Sequence, residues 1–179
     1  RPQHQAEWSR PNCSSREIWA LQSDQMCAEL PPLQLVSMDA LHPGLSRGIA
    51  ESYREAVSVC FSRHHQSPTR LTVARGRSLA TTAQWDQPDG RIMRAWANDI
   101  DATESGAYGV ALATLQLTDD LVAIARAETL TGADYYVAPA GANVENLEFA
   151  CRLEVSGIDQ SNDDLIAARL RSKVKQAMR

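Results

Sequence analysis

The second half of the chain carries three short stretches of strand-like composition between two stretches of helical periodicity. The strand-like stretches are 121–128, 133–138 and 147–156, and turn-forming residues separate them. Thr and Asp precede the first stretch, and the segment Thr-Leu-Thr-Gly follows it, which favours a strand over a helix there. The order helix–strand–strand–strand–helix predicts a sheet with helices packed against it.

Helices are predicted on both sides of these strands. Asp101 and Thr103 are capping residues that place the start of the first helix near Glu104. The closing helix is predicted over 164–178, because apolar residues recur there at three- and four-residue spacing, and residues 161–163 supply its cap. Its apolar positions are Leu165, Ile166, Leu170 and Val174.

The first half predicts one long helix and a hairpin. Residues 43–64 form an apolar stripe at helical spacing, so they are predicted to be a helix. Strands are expected over 70–75, which alternates, and over 79–85, which is rich in Thr and apolar residues. The segment DQPDG at 86–90 is a strong turn signal, and we expect 91–97 to return as a strand of the hairpin.

Composition divides the chain at residue 38. Residues 1–37 are rich in Pro, Gln and Ser and lack a sustained period, which predicts an N-terminal extension that is disordered or not native to the protein. A short helix over 15–30 is the alternative for part of it. Residues 38–179 are predicted to be a single domain of the mixed α/β class, with a central mixed β-sheet flanked by helices.

Charge and composition exclude several functional classes. The formal net charge of -4 argues against a surface that is basic overall, although a local basic face can sit on an acidic protein. No apolar run reaches the roughly 18 residues that span a bilayer, and the first 30 residues lack the continuous apolar stretch typical of a signal peptide. The four cysteines form no CxxC pair, which disfavours a zinc ribbon and favours a cytoplasmic protein with free thiols. Motifs of NTPases, dinucleotide-binding proteins and serine hydrolases are absent.

Two acids are predicted to lie at strand ends in the second half. Asp134 opens the second strand-like stretch, and Glu154 lies near the end of the third. Mg²⁺ prefers oxygen ligands and is commonly held by one or two carboxylates together with substrate phosphates. Each acid also has a structural alternative, which is a turn for Asp134 and an ion pair with Arg152 or Arg169 for Glu154.

The element order, with Thr-Gly-Ala-Asp at 131–134 opening the second strand, resembles the PD-(D/E)XK, or restriction-endonuclease-like, nucleases. The resemblance covers residues 101–178. It implies that the second strand supplies an aspartate and that the third supplies Glu, a spacer and a lysine. The acids would hold one or two Mg²⁺ ions for phosphodiester hydrolysis, and the lysine would orient or activate the attacking water. Transferred to this chain, the metal ligands are Asp134, Glu154 and the backbone carbonyl of Val155.

The lysine of that motif is replaced here. Its position is Ser156, which offers no positive charge to a hydroxide or to a leaving phosphate. Lys173 and Lys175 on the closing helix are candidates for a lysine that has moved, and the catalytic set is then Asp134, Glu154 and Lys173. Otherwise the chain binds metal weakly or has lost the chemistry, so enzymatic activity stays open.

The closing helix is rich in cations. Cations in a last helical turn complement the helix dipole, which is the ordinary explanation. The sharper hypothesis is a face that contacts the phosphates of nucleic acid. Its members would be Arg169, Arg171, Lys173 and Lys175.

Two functions follow from these patterns, together with a third, structural role. The first is a nuclease-like protein that hydrolyses DNA or RNA with Mg²⁺, or a catalytically degenerate relative. The second is a non-catalytic protein that binds a protein partner, for example as an immunity or accessory protein of bacterial defence. The third is a structural subunit with an oligomer interface at the first helix and the hairpin, which Trp85 and Trp96 flank.

Overall fold

The fold belongs to the mixed α/β class, as predicted. The computed structural model describes residues 28–75, 77–129 and 131–177. Along the chain the elements are β1 (Ala28–Glu29), α1 (Met38–Leu41), α2 (Arg47–His64), β2 (Thr69–Arg75), β3 (Arg77–Ala83), α3 (Gly90–Ala95), α4 (Asp99–Asp119), β4 (Leu121–Arg126), β5 (Tyr135–Pro139), β6 (Cys151–Leu153) and α5 (Asp163–Ala177). The described residues form two three-stranded sheets, where the sequence predicted one central sheet. None of the described helices is long and apolar enough to cross a membrane.

The first sheet has the strand order β1–β3–β2. β2 and β3 form an antiparallel hairpin, and β1 runs parallel to β3. The strands predicted over 70–75 and 79–85 are therefore confirmed, with small shifts at their ends. The strand predicted over 91–97 is wrong, because that segment forms α3. The Asp89 carboxylate accepts hydrogen bonds from the N–H groups of Arg91 and Ile92, both at 2.8 Å, and such a cap starts a helix directly after the turn.

The second half has the predicted helix–strand–strand–strand–helix order, and its antiparallel sheet runs β4–β5–β6. α4 begins earlier than predicted because Asn98, rather than Asp101 or Thr103, caps it. Asn98 Oδ1 accepts a hydrogen bond from the Ile100 N–H at 3.0 Å. The cap of α5 is Asn162, whose Oδ1 accepts from the Leu165 N–H at 3.0 Å. The third strand is shorter than the predicted stretch over 147–156.

The core lies where α2 and α4 pack together and cover the second sheet. Gly109 of α4 makes the close approach of these helices possible. A Cβ atom at this position would lie 2.8 Å from Val57 Cγ2 and 3.3 Å from Tyr53 Cβ. The main cluster of buried core residues comprises Met38, Leu45, Ala50, Tyr53, Tyr108, Leu112, Ala123, Tyr135 and Val137.

Residues directly upstream of residue 38 pack onto the rest of the fold. Leu33 and Leu35 are buried beside α2 and α4, and the Leu33 N–H donates to the Thr82 carbonyl at 2.8 Å. The packed part of the chain therefore begins before the predicted boundary. Residues 1–27 of the extension predicted over 1–37, and most of the alternative helix over 15–30, lie outside the described residues.

A loop before α2 covers the edge of β4. His42 in this loop is fully buried, and its Nδ1 accepts a hydrogen bond from the Ala123 N–H at 3.0 Å. The Gly44 N–H donates to the Ala123 carbonyl at 2.8 Å. Burial lowers the pKa of His42 to about 4, so the imidazole is neutral near pH 7 and can act as this acceptor.

Candidate functional site

Asp134 lies directly before β5 and connects three parts of the second half. Its Oδ1 accepts a hydrogen bond from the Tyr108 hydroxyl on α4 at 2.7 Å. Its Oδ2 accepts from the backbone N–H of Val155, just after β6, also at 2.7 Å. The guanidinium of Arg126 lies 3.8 Å from Oδ1. Both carboxylate oxygens are therefore engaged within the protein.

A cluster of three tyrosines and Arg126 lies beside Asp134. The hydroxyls of Tyr53 and Tyr135 are 2.6 Å apart, and the Arg126 guanidinium lies 4.5 Å and 4.7 Å from the ring centres of Tyr108 and Tyr135. Burial raises the pKa of Tyr53, and the hydrogen bond to Tyr135 adds to this effect. Burial, and then the hydrogen bond to Asp134, raise the pKa of Tyr108. These hydroxyls stay protonated and can donate.

This cluster was not predicted from the sequence. Its four members lie on α2, α4, β4 and β5, so no spacing along the chain brings them together. The one available signal was Tyr108 on the predicted helix, one turn after Glu104, whose Oε1 lies 3.3 Å from the Tyr108 hydroxyl. Helical periodicity alone places Tyr108 on the same side as Leu112 and gives its hydroxyl no role.

Glu154 is paired with the closing helix. The Nζ atom of Lys173 lies 2.5 Å from Glu154 Oε1, and the Glu154 side chain is only 8% exposed. One turn earlier on α5, the Arg169 side chain donates to Ser156 Oγ at 2.8 Å. Position 156 is a serine and has no amine, but the amine of Lys173 on α5 reaches Glu154. Glu154 is therefore ion-paired, as its structural alternative held, and Lys173 is its partner.

The four cations predicted to bind nucleic acid have different environments. Arg169 and Lys173 contact Ser156 and Glu154, whereas Arg171 and Lys175 are exposed. α5 also exposes three apolar side chains at four-residue spacing, which places them on one side of the helix. They are Ile166, Leu170 and Val174, exposed to 47%, 46% and 42%, and together they are named the α5 apolar row.

A cleft of about 610 Å³ lies between α5, the start of α4 and the segment after β6. Its apolar lining includes Ile100 and Leu165, which are strongly exposed, and its positive side chains are Arg169 and Lys173. The cleft therefore extends the exposed apolar surface of α5 toward α4. Its full lining is Asp99, Ile100, Thr103, Glu104, Val155, Ser156, Gly157, Ile158, Asp159, Leu165, Arg169 and Lys173.

The two acids among the three predicted metal ligands fit a shared ion poorly. Asp134 contacts Tyr108 and lies close to Arg126, while Glu154 contacts Lys173. A divalent cation would have to compete with a guanidinium and an ammonium group for these carboxylates. Val155, predicted to offer its carbonyl to the metal, gives its N–H to Asp134. Within the described ranges, no three His, Cys, Asp or Glu side chains are grouped to hold a metal ion. These contacts favour structural roles for both acids.

No protein-family model, curated protein or solved structure matches this chain. The function is therefore inferred from the contacts and the exposed surface of the molecule itself.

Proposed function

We propose that this protein acts without catalysis, by binding a protein partner through the α5 apolar row. The observation that carries the proposal is that the side chains of this row are between 42% and 47% exposed. An amphipathic helix on a globular protein ordinarily turns its apolar side to the core. α5 instead meets the body through polar contacts of Arg169 and Lys173, which leaves apolar surface to a partner.

In this proposal the acids of the second half position α5. The Asp134 carboxylate accepts a hydrogen bond from the backbone N–H of Val155 and so holds this residue in place. The two residues that flank Val155 contact the helix. Glu154 binds Lys173, and Ser156 binds Arg169. This series of contacts from Asp134 to α5 thus holds the helix in place and presents the α5 apolar row to a partner.

The proposal includes an evolutionary origin for the region from α4 to α5. The helix–strand–strand–strand–helix order from α4 to α5 supports a nuclease-like core that no longer carries out the chemistry. A cytoplasmic immunity or accessory protein of bacterial defence is a role of this kind. Such a role requires a surface that binds a partner protein, and it requires no catalytic activity.

Site-specific photocross-linking in the native host tests the proposal. The photoreactive amino acid p-benzoylphenylalanine is placed in the full chain at Val174, within the row, or at Ser172, an exposed position of the same helix outside the row. We expect a cross-linked protein from position 174 only, and its loss when Leu170→Asp is added. Equal cross-linking from both positions, or no effect of Leu170→Asp, would contradict the proposal.

Metal-dependent hydrolysis is the second candidate, and one observation favours it. Lys173 brings an amine to Glu154 in place of the lysine that position 156 lacks. If the protein is a nuclease, the full chain should cleave DNA or RNA only with Mg²⁺ present. Asp134→Asn and Lys173→Met should each abolish cleavage, whereas Lys175→Met should retain it. Absence of Mg²⁺-dependent cleavage, or cleavage that all three variants retain, removes this candidate.

A further inference from the structure

Positive charge borders the α5 apolar row. Arg171 and Lys175 each follow a residue of the row by one position, and both are exposed. One helical step is about 100°, so their side chains lie along one flank of the row. Among the described residues, neither forms an ion pair within the protein. Their charge is therefore available to a partner.

The cleft borders α5 on another side. Arg169 and Lys173 line it together with Leu165, and Ile100 lies on its α4 wall. An apolar side chain of a partner could enter this cleft while the rest of the partner covers the row. Buried apolar anchors in such pockets carry much of the free energy of protein–protein binding.

We infer that the partner presents an acidic amphipathic segment, with a line of apolar side chains bordered by Asp or Glu. This inference rests on the proposed function and names the partner's chemistry. Apolar side chains would cover Ile166, Leu170 and Val174, while carboxylates would meet Arg171 and Lys175. Complementary charge of this kind speeds association and excludes partners with the wrong charge.

Two other occupants of the same surface fit less well. Nucleic acid would bring strongly hydrated phosphates against three exposed apolar side chains, and two of the four candidate phosphate contacts already bind Ser156 and Glu154. A second copy of this chain, packed antiparallel about Leu170, would bring two Arg171 side chains to the same level. Like charges at that position repel each other.

The inference is tested with a phage-displayed library of helical peptides, selected on the full chain and counter-selected on Leu170→Asp. We expect the enriched peptides to combine an apolar row with net negative charge. Arg171→Glu combined with Lys175→Glu should weaken their binding about tenfold, mainly through slower association. Arg91→Glu combined with Arg94→Glu changes the net charge equally on exposed positions of α3 and should have little effect.

Several results would overturn the inference. These are enrichment of basic or neutral peptides, no enrichment at all, and equal weakening by both charge-reversal pairs. Binding of a fluorescent DNA duplex or RNA hairpin that is lost with the α5 pair would also overturn it. If one of these results is obtained and cross-linking from position 174 is nevertheless lost in Leu170→Asp, the proposed function stands while the acidic partner is excluded. If Leu170→Asp changes neither experiment, the proposed function itself fails.

Discussion

The helices α4 and α5 both carry apolar residues at helical spacing, but they place them in different environments. Leu112 of α4 is fully buried against the sheet and α2, whereas Leu170 of α5 is 46% exposed. α4 is held by apolar packing, and α5 is held by hydrogen bonds to Glu154 and Ser156. Apolar burial thus stabilises the region around α4, whereas α5 leaves apolar side chains of the same kind exposed.

Shortening the same residue type on each helix should give the largest contrast. Leu112→Ala removes a fully buried side chain and leaves a cavity, so we expect the free energy of unfolding to fall by about 2–5 kcal/mol. Leu170→Ala should change it by about 0.5 kcal/mol or less, because that side chain is already half exposed. Urea denaturation of both variants measures the difference. Similar losses would mean that α5 is packed as tightly as α4.

The region around α2 and β4 should also respond to pH through His42. Burial lowers the pKa of His42 to about 4 in the folded protein, whereas the imidazole of an unfolded chain titrates near its usual value of about 6.5. Between these values the unfolded state binds more protons, so stability falls as the pH drops. We expect a loss of about 2 kcal/mol between pH 7 and pH 5 from this group.

Two measurements separate His42 from the other titrating groups. NMR of the His42 ring nitrogens should show a neutral imidazole down to about pH 5. Denaturation at pH 7 and pH 5 should show a smaller pH dependence in His42→Asn than in the parent protein. A ring that protonates near pH 6.5 would show that the loop before α2 opens to solvent.

Close helix packing should make two glycine positions respond with opposite sign. Gly109→Ala would place a Cβ atom 2.8 Å from Val57 Cγ2, so we expect a loss of about 1–2 kcal/mol in unfolding free energy. Gly48 of α2 has nothing within 4 Å of an added Cβ, and Gly48→Ala should stabilise the protein by about 0.5–1 kcal/mol. Thermal unfolding measures both. A stabilising Gly109→Ala would mean that α2 and α4 separate easily.

The most local effect is expected for the attachment of α5. Lys173→Met removes the partner of the buried Glu154, and we expect a loss of about 1 kcal/mol in global stability, because Lys173 itself is partly exposed. Amide hydrogen exchange should become faster in α5 and stay unchanged in α2 and α4. Lys175→Met, two positions away and exposed, is the matched control and should leave α5 protected. Equal effects of the two variants would show that the Glu154 contact does not hold the helix.

Local sequence patterns predicted most of the helices and strands. The features that depend on contacts between distant residues were harder to predict. The helices over 43–64 and 164–178 follow from apolar spacing, and the strands of the second half follow from composition and turn signals. The segment 91–97 was misassigned because Asp89 reads equally well as part of a turn and as a helix cap. The division into two sheets depends on which strands pair, and pairing is set by contacts far apart in the sequence.

The candidate site was predictable only in its individual residues. Asp134, Glu154 and Lys173 could be selected from residue type and position, but their partners could not. Whether Asp134 would face a metal or the Tyr108 hydroxyl depends on how α4 crosses the sheet. The exposure of the apolar residues of α5 was also not predictable. Apolar residues recur at three- and four-residue spacing both in α5 and in α2, whose apolar side is buried. Burial depends on neighbours that periodicity does not identify.

Calorimetric titration of Mn²⁺ into the full chain tests the central claim most directly, with Asp134→Asn titrated in parallel. The claim is that Asp134 and Glu154 support the fold and do not hold a metal ion. It predicts that neither protein gives a saturable heat of metal binding. One-site binding in the parent protein that is lost in Asp134→Asn would contradict it and would favour the nuclease.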